Sequence, residues 1–125
     1  MTDACSVPVI LSAVDDLFFS SKIESAANLA GVRVVSARNA RQLEELLATL
    51  APRMIILDLN SEACAPLEAV RRIKSDERLS HTPVIGFVSH VQRELINEAR
   101  RAGYDQVMPR SFFSANLLKI LASAK

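Results

Sequence analysis

Between Val7 and Val14 the chain runs apolar, VPVILSAV, and then meets two carboxylates, Asp15 and Asp16. The alternation repeats: a short apolar run, a polar stop, then apolar residues at helical spacing. Phe19, Ile23, Ala26, Ala27 and Ala30 form the first helical stripe, and Gly31 follows it, the residue type that ends helices in the left-handed conformation. Val32 to Ser36 reads as a second strand. Asn39 is then a helix N-cap with Gln42 as capping-box partner, ahead of a buried stripe of Leu43, Leu46, Leu47 and Leu50. Pro52 stops that helix, and Met54 to Asp58 is the third strand. Pro66 suits the first turn of a third helix carrying Leu67, Val70 and Ile73, and Pro83 opens a fourth strand, PVIGFVS. Val91, Leu95, Ile96, Ala99 and Ala102 make the fourth helix, with Gly103 behind it. A short fifth strand, QVM, precedes a last helix with Leu117, Leu118 and Leu121.

Five strands that are apolar throughout, each followed by a helix, predict an α/β fold: a parallel sheet covered on both faces. In such sheets ligands bind outside the carboxyl ends of the strands, near the point where strand order reverses. That places Asp15, Asp16, Asp58, Ser89, His90 and Arg110 along one edge. Asp58 stands out, because in MIILDLN a buried apolar run passes straight into a carboxylate that is costly to bury. Either it ends the strand at a polar site or it caps a local turn.

Composition narrows the rest. At 125 residues and 50% hydrophobic, the chain is expected to form one domain over residues 1–125, with no output domain. Fifteen Lys and Arg against 14 Asp and Glu, net charge +1, ask for neither nucleic acid nor an anionic membrane. The N-terminus carries an acid where a signal peptide needs positive charge, and its apolar run is too short to span a bilayer, so a cytoplasmic location is expected. Cys5 and Cys64 match no metal or redox spacing and read as plain thiols.

The acidic pair after VILSAV, the strand-ending acid of IILDLN, the hydroxyl closing PVIGFVS and the segment AGYDQVMPRSF, in that order, resemble the receiver domain of two-component response regulators across the full length. The resemblance implies a flavodoxin-like, doubly wound five-stranded parallel sheet of order 2-1-3-4-5. It implies that Asp58 is the phosphoacceptor. It also implies Mg2+ held by Asp15, Asp16, Asp58 and the carbonyl of Asn60, with Ser89 and Arg110 contacting the phosphoryl group. Its partners would be a sensor histidine kinase or phosphotransfer protein and a downstream protein. A carboxylate can attack a phosphoryl group, and Mg2+, which favours carboxylate oxygens, offsets the crowded charge.

The departures from the family pattern matter as much. Counting back from Gly31 puts Val14 at the first position of the acidic pair and Asp15 at the second; a one-residue shortening would put Asp15 and Asp16 there, at a cost in helical phase. Arg110 stands for the family lysine and is followed by Ser111 rather than proline, so a trans peptide is expected. His90 follows the hydroxyl residue where the family keeps a small one, and would gate access. Val107 replaces the rotating aromatic, and Pro66 replaces a glycine. These features predict a stand-alone, atypical receiver, not an enzyme, that signals by contact. One alternative is a phosphorylation-independent pseudo-receiver. A small flavodoxin-like ligand-binding protein is the other, disfavoured because DDLFFSSK offers carboxylates and no glycine-rich cradle where a flavin phosphate would sit. The tandem pairs Phe18-Phe19 and Phe112-Phe113 each predict one buried and one less buried ring.

Overall fold

The computed structural model describes residues 7–89 and 92–125; Cys5, His90 and Val91 lie outside them. The strands are β1 (Val9–Ala13), β2 (Arg33–Ala37), β3 (Met54–Asp58), β4 (Val84–Val88) and β5 (Gln106–Pro109). The helices are α1 (Leu17–Ala30), α2 (Ala40–Thr49), α3 (Pro66–Ser75), α4 (Arg93–Ala102), α5 (Arg110–Ala115) and α6 (Leu117–Ala122), with a 3-10 turn at Glu62–Cys64. The strands form one parallel sheet in the order β2-β1-β3-β4-β5. This is the expected fold, with β1 and β3 central and strand order reversing between them.

Period-two alternation explains why the strands read as apolar throughout. Leu11, Ile55, Leu57, Val84 and Val88 pack on one face against Leu43 and Leu47 of α2, Val70 and Ile73 of α3 and Ala99 of α4. Ile10, Met54, Ile56, Ile85 and Phe87 pack on the other against Phe19, Ile23 and Ala27 of α1 and Phe113, Leu117 and Leu121 of α5 and α6. Both faces of the central strands are covered, so they are apolar almost throughout; β1 still buries Ser12, whose Oγ has no hydrogen-bond partner among the described residues. Gly86 in β4 is the exception that makes room: a Cβ there would lie 2.9 Å from Leu59 Cγ and from Tyr104 Cε2. Tyr104 can then reach across to donate its hydroxyl to the Pro66 carbonyl at 2.8 Å.

The helix signals hold with local differences. Gly31 ends α1 with φ 78°, and Asn39 Oδ1 accepts from Gln42 N as the N-cap of α2. The Gln42 side chain closes the box one residue early, accepting from Arg38 N. Pro66 does open α3, but proline cannot adopt positive φ, and the left-handed turn falls on Ala65 at φ 47°. β1 begins at Val9 rather than Val7, β2 is shifted by one residue from Val32–Ser36, and β5 runs on to Pro109. The last helix is two short ones. Asn116, at φ −112° and ψ 16°, interrupts it while its Nδ2 donates to the Phe112 carbonyl, although Phe113, Leu117 and Leu121 still share one buried stripe. Leu118, on the same helix, is exposed. Each tandem pair divides as expected: Phe19 and Phe113 are buried, while Phe18 is 90% and Phe112 54% exposed.

Candidate functional site

Asp58 is the last residue of β3 and only 6% exposed. The chain turns sharply after it, and its Oδ1 accepts from Asn60 N at 2.9 Å. The local-cap reading of this residue therefore holds for one carboxylate oxygen; among the described residues no hydrogen-bond donor reaches Oδ2. Burial pushes the carboxyl above its ordinary pKa, the Asn60 N–H opposes this, the charge of Asp15 adds to it, Arg110 lowers it and Asp16 raises it. Asp15, Asp16 and Arg110 thus all act on the charge of Asp58. Without a cation the field disfavours a charged Asp58.

The two acids after β1 divide their work. Val14 is buried and its N–H donates to the Ala37 carbonyl, which leaves Asp15 as the first acid of the edge. Asp15 Oδ2 accepts from Ser61 Oγ at 2.9 Å, tying the loop after β1 to the loop after β3. Ser61 is buried, and only its position three after Asp58 marks it in the sequence. Asp16 is the N-cap of α1, with Oδ1 accepting from Phe18 N and Phe19 N. Its Oδ2 accepts from Arg110 Nη2 at 3.0 Å. The hydrogen bond from Arg110, and then that from the Phe19 N–H, hold the Asp16 carboxyl below its ordinary value.

Arg110 opens α5, and the Arg110–Ser111 peptide is trans, as every peptide is among the described residues. The guanidinium carbon lies 4.1 Å from the centroid of the Phe19 ring. That ring is itself packed against Phe87 and Phe113, at centroid distances of 5.1 and 5.8 Å. Among the described residues the cation makes no ion pair with Asp58; it stands on an aromatic platform beside Asp16. Phe19 was read from the sequence only as a core residue of α1, because nothing in its spacing reveals a partner at the other end of the chain.

On the far side of Asp58, the Asn60 side chain holds the loop after β4: Oδ1 accepts from Ser89 N at 2.7 Å and Nδ2 donates to Gln92 Oε1 at 2.7 Å. Ser89 is exposed, and no hydrogen bond of its Oγ occurs among the described residues. Nor does it cap α4, whose N-cap is Gln92 without a side-chain bond. His90, the expected gate, lies outside the described residues. Val107 is half-buried in β5. Cys64 is a free, fully buried thiol whose pKa burial pushes up. Among the described residues no group of three or more His, Cys, Asp or Glu is arranged to hold a metal ion, and no helix is long and apolar enough to cross a membrane.

The arrangement is similar to known proteins at two levels. The chemotaxis protein CheY-3 of Vibrio cholerae is 30% identical over 63 residues, a match covering 50% of this chain and 48% of that protein, so the chain spans about half the length of the curated relatives it matches. The CheY4 chemotaxis response regulator of Vibrio cholerae superposes with a TM-score of 0.83 at 19% identity, over 96% of this chain and 100% of that one. The receiver domain of the sensor histidine kinase PA1611 from Pseudomonas aeruginosa, solved with magnesium in its active-site cleft, superposes with a TM-score of 0.82 at 20% identity, over 94% and 97% of the two chains. Both structures share the fold described above. Residues 10–122, from the first core residue of β1 to the end of α6, match the response regulator receiver domain, and the chain belongs to that family.

Proposed function

We propose that this receiver domain works in two-component signalling, with Asp58 as its phosphoacceptor, and that it passes its signal by contact with another protein. The observation that carries the reading is the state of Asp58 itself: at the end of a central strand, nearly buried, with Oδ1 pinned by Asn60 N and Asp15 adding negative charge. A structural cap gains nothing from that second acid. In the proposed step a carboxylate oxygen of Asp58 attacks phosphorus, the P–N bond of a phosphohistidine donor breaks, the imidazole leaves with a proton, and an acyl phosphate forms. The donor is a sensor histidine kinase or phosphotransfer protein, and the setting is the cytoplasm.

The donor set suits Mg2+. Asp15, Asp58 and the Asn60 carbonyl are hard oxygen ligands on one edge, and magnesium commonly takes one or two carboxylates with water completing its shell. Asp16 joins them only if it gives up Arg110, since both its oxygens are engaged. A bound divalent cation would offset the charge that gathers around the phosphoryl group. The magnesium in the PA1611 receiver domain supports the same expectation for this chain.

A pseudo-receiver that never accepts phosphate is the second reading, favoured by one observation: the cation expected at the phosphoryl group is held by Asp16 and Phe19 instead. Incubation with acetyl phosphate and Mg2+, followed by intact-mass measurement and by partner pull-down with wild type and Asp58→Ala, separates the two. Labelling that the substitution abolishes supports the first reading. Absence of labelling together with unchanged partner capture supports the second.

A further inference from the structure

We propose that Ser61 is a positioning residue for metal binding, whose hydroxyl holds the Asp15 carboxylate in one rotamer, ready to share an Mg2+ ion with Asp58. The proposal rests on the reading of this edge as an Mg2+ site and not on the transfer of phosphate. Its geometric basis is a hydrogen bond between residues 46 apart in the chain: Ser61 Oγ donates to Asp15 Oδ2 at 2.9 Å. That bond joins the two loops that carry proposed ligands, Asp15 after β1 and the Asn60 carbonyl after β3.

Ser61 is itself held in place. It is 3% exposed, its N–H donates to the Asp58 carbonyl at 3.1 Å, and its carbonyl accepts from Cys64 N at 3.3 Å. A serine in front of a helical turn ordinarily directs its side chain onto the N–H groups of that turn. Ser61 stands before the 3-10 turn Glu62–Cys64 and makes no such bond. Its hydroxyl goes to Asp15 instead, so it fixes one loop against another rather than the turn that follows it.

Of the proposed ligands, Asp15 needs such an anchor most. Asp58 is buried with Oδ1 on Asn60 N, whereas Asp15 is exposed, and among the described residues no other hydrogen bond reaches its carboxylate. An exposed aspartate without a partner exchanges among staggered rotamers on the picosecond to nanosecond scale. The ion also has few carboxylates to draw on. Val14, just before Asp15, is buried and apolar, and both oxygens of Asp16 are engaged by the α1 N–H groups and Arg110. Mg2+ demands near-octahedral geometry, so with two carboxylates at hand the orientation of each matters. Groups that orient a metal ligand commonly change affinity by about ten- to a hundredfold, and a single bond to an exposed carboxylate belongs at the low end.

Two NMR measurements test it, one without metal and one with. Three-bond couplings to the Asp15 Cγ, recorded in EDTA, report its χ1 distribution; wild type is expected to show one dominant rotamer and Ser61→Ala an average over several. Ser61→Ala removes only the hydroxyl, and water replaces it at the exposed Asp15, so the fold is expected to persist. In an Mg2+ titration followed by the Asn60 amide resonance, Ser61→Ala is expected to bind about tenfold more weakly than wild type. Asp15→Ala, at an exposed position, sets the ceiling, because a residue that acts through Asp15 cannot cost more affinity than Asp15 itself. Rotamer averaging already in wild type overturns the proposal with no substitution at all. So do couplings that Ser61→Ala leaves unchanged, an unchanged Mg2+ affinity, a loss larger than that of Asp15→Ala, or a wild type that binds no Mg2+. The predicted behaviour in both measurements, with Asp58 unlabelled by acetyl phosphate, supports the proposal and removes the acceptor reading. Labelling of Asp58 with an Mg2+ affinity indifferent to Ser61→Ala does the reverse.

Discussion

Asp58 and Asp16 are carboxylates at the same edge whose environments push them in opposite directions, and the pH dependence of stability follows from each. For Asp58 the folded pKa is raised, chiefly by burial. The stability linked to it is fully present below the unfolded value of about 4 and is lost as pH rises through the folded value. The charged Asp58 is thus a net cost at neutral pH. Asp58→Asn, which keeps an oxygen for the Asn60 N–H, is expected to raise stability by on the order of 1 kcal/mol at neutral pH, with the gap closing in acid. Urea denaturation of both proteins across that range checks the sign. For Asp16 the folded pKa is lowered, chiefly by the Arg110 hydrogen bond, so its contribution is present above the unfolded value and is lost as pH falls through the folded one. At this scale the sequence told which acids stand at or just beyond strand ends, because strand ends are legible from apolar runs. It did not tell which of them Arg110 would choose, since that depends on a rotamer at the β5–α5 junction and on the Phe19 ring lying beneath it.

Among the elements, the legible parts were those with their own punctuation. β3 was read to the residue, and α1 and α2 have the caps that Asn39 and Gly31 announced. The break at Asn116 was not legible, because the stripe Phe113, Leu117, Leu121 keeps one helical period straight through it. Nor was the left-handed turn at Ala65, which carries no glycine to mark it. Two substitutions test these local accounts. Ala65→Gly is expected to stabilise the fold by several tenths to about 1 kcal/mol, the relief of a left-handed L-residue partly offset by the freer unfolded chain. Gly86→Ala is expected to cost about 1 to 3 kcal/mol, because its Cβ would meet Leu59 and Tyr104 at 2.9 Å on the floor of the sheet. Chemical denaturation reads both, and a neutral Gly86→Ala would mean that Leu59 and Tyr104 shift freely.

In the molecule as a whole, the doubly covered sheet leaves one edge where the carboxylates after β1, that at the end of β3 and the Arg110 cation at the start of α5 share a field. That crowding predicts a response to divalent metal. Millimolar Mg2+ is expected to raise the thermal midpoint by linkage, and Asp58→Ala to abolish the rise; an equal rise in both proteins would place the ion elsewhere. The most direct measurement of the central claim is intact-mass analysis after exposure to acetyl phosphate. The account predicts one phosphoryl group on wild type in the presence of Mg2+ and none on Asp58→Ala. A wild-type chain that stays unlabelled at every donor concentration, or a label that survives Asp58→Ala, would contradict it.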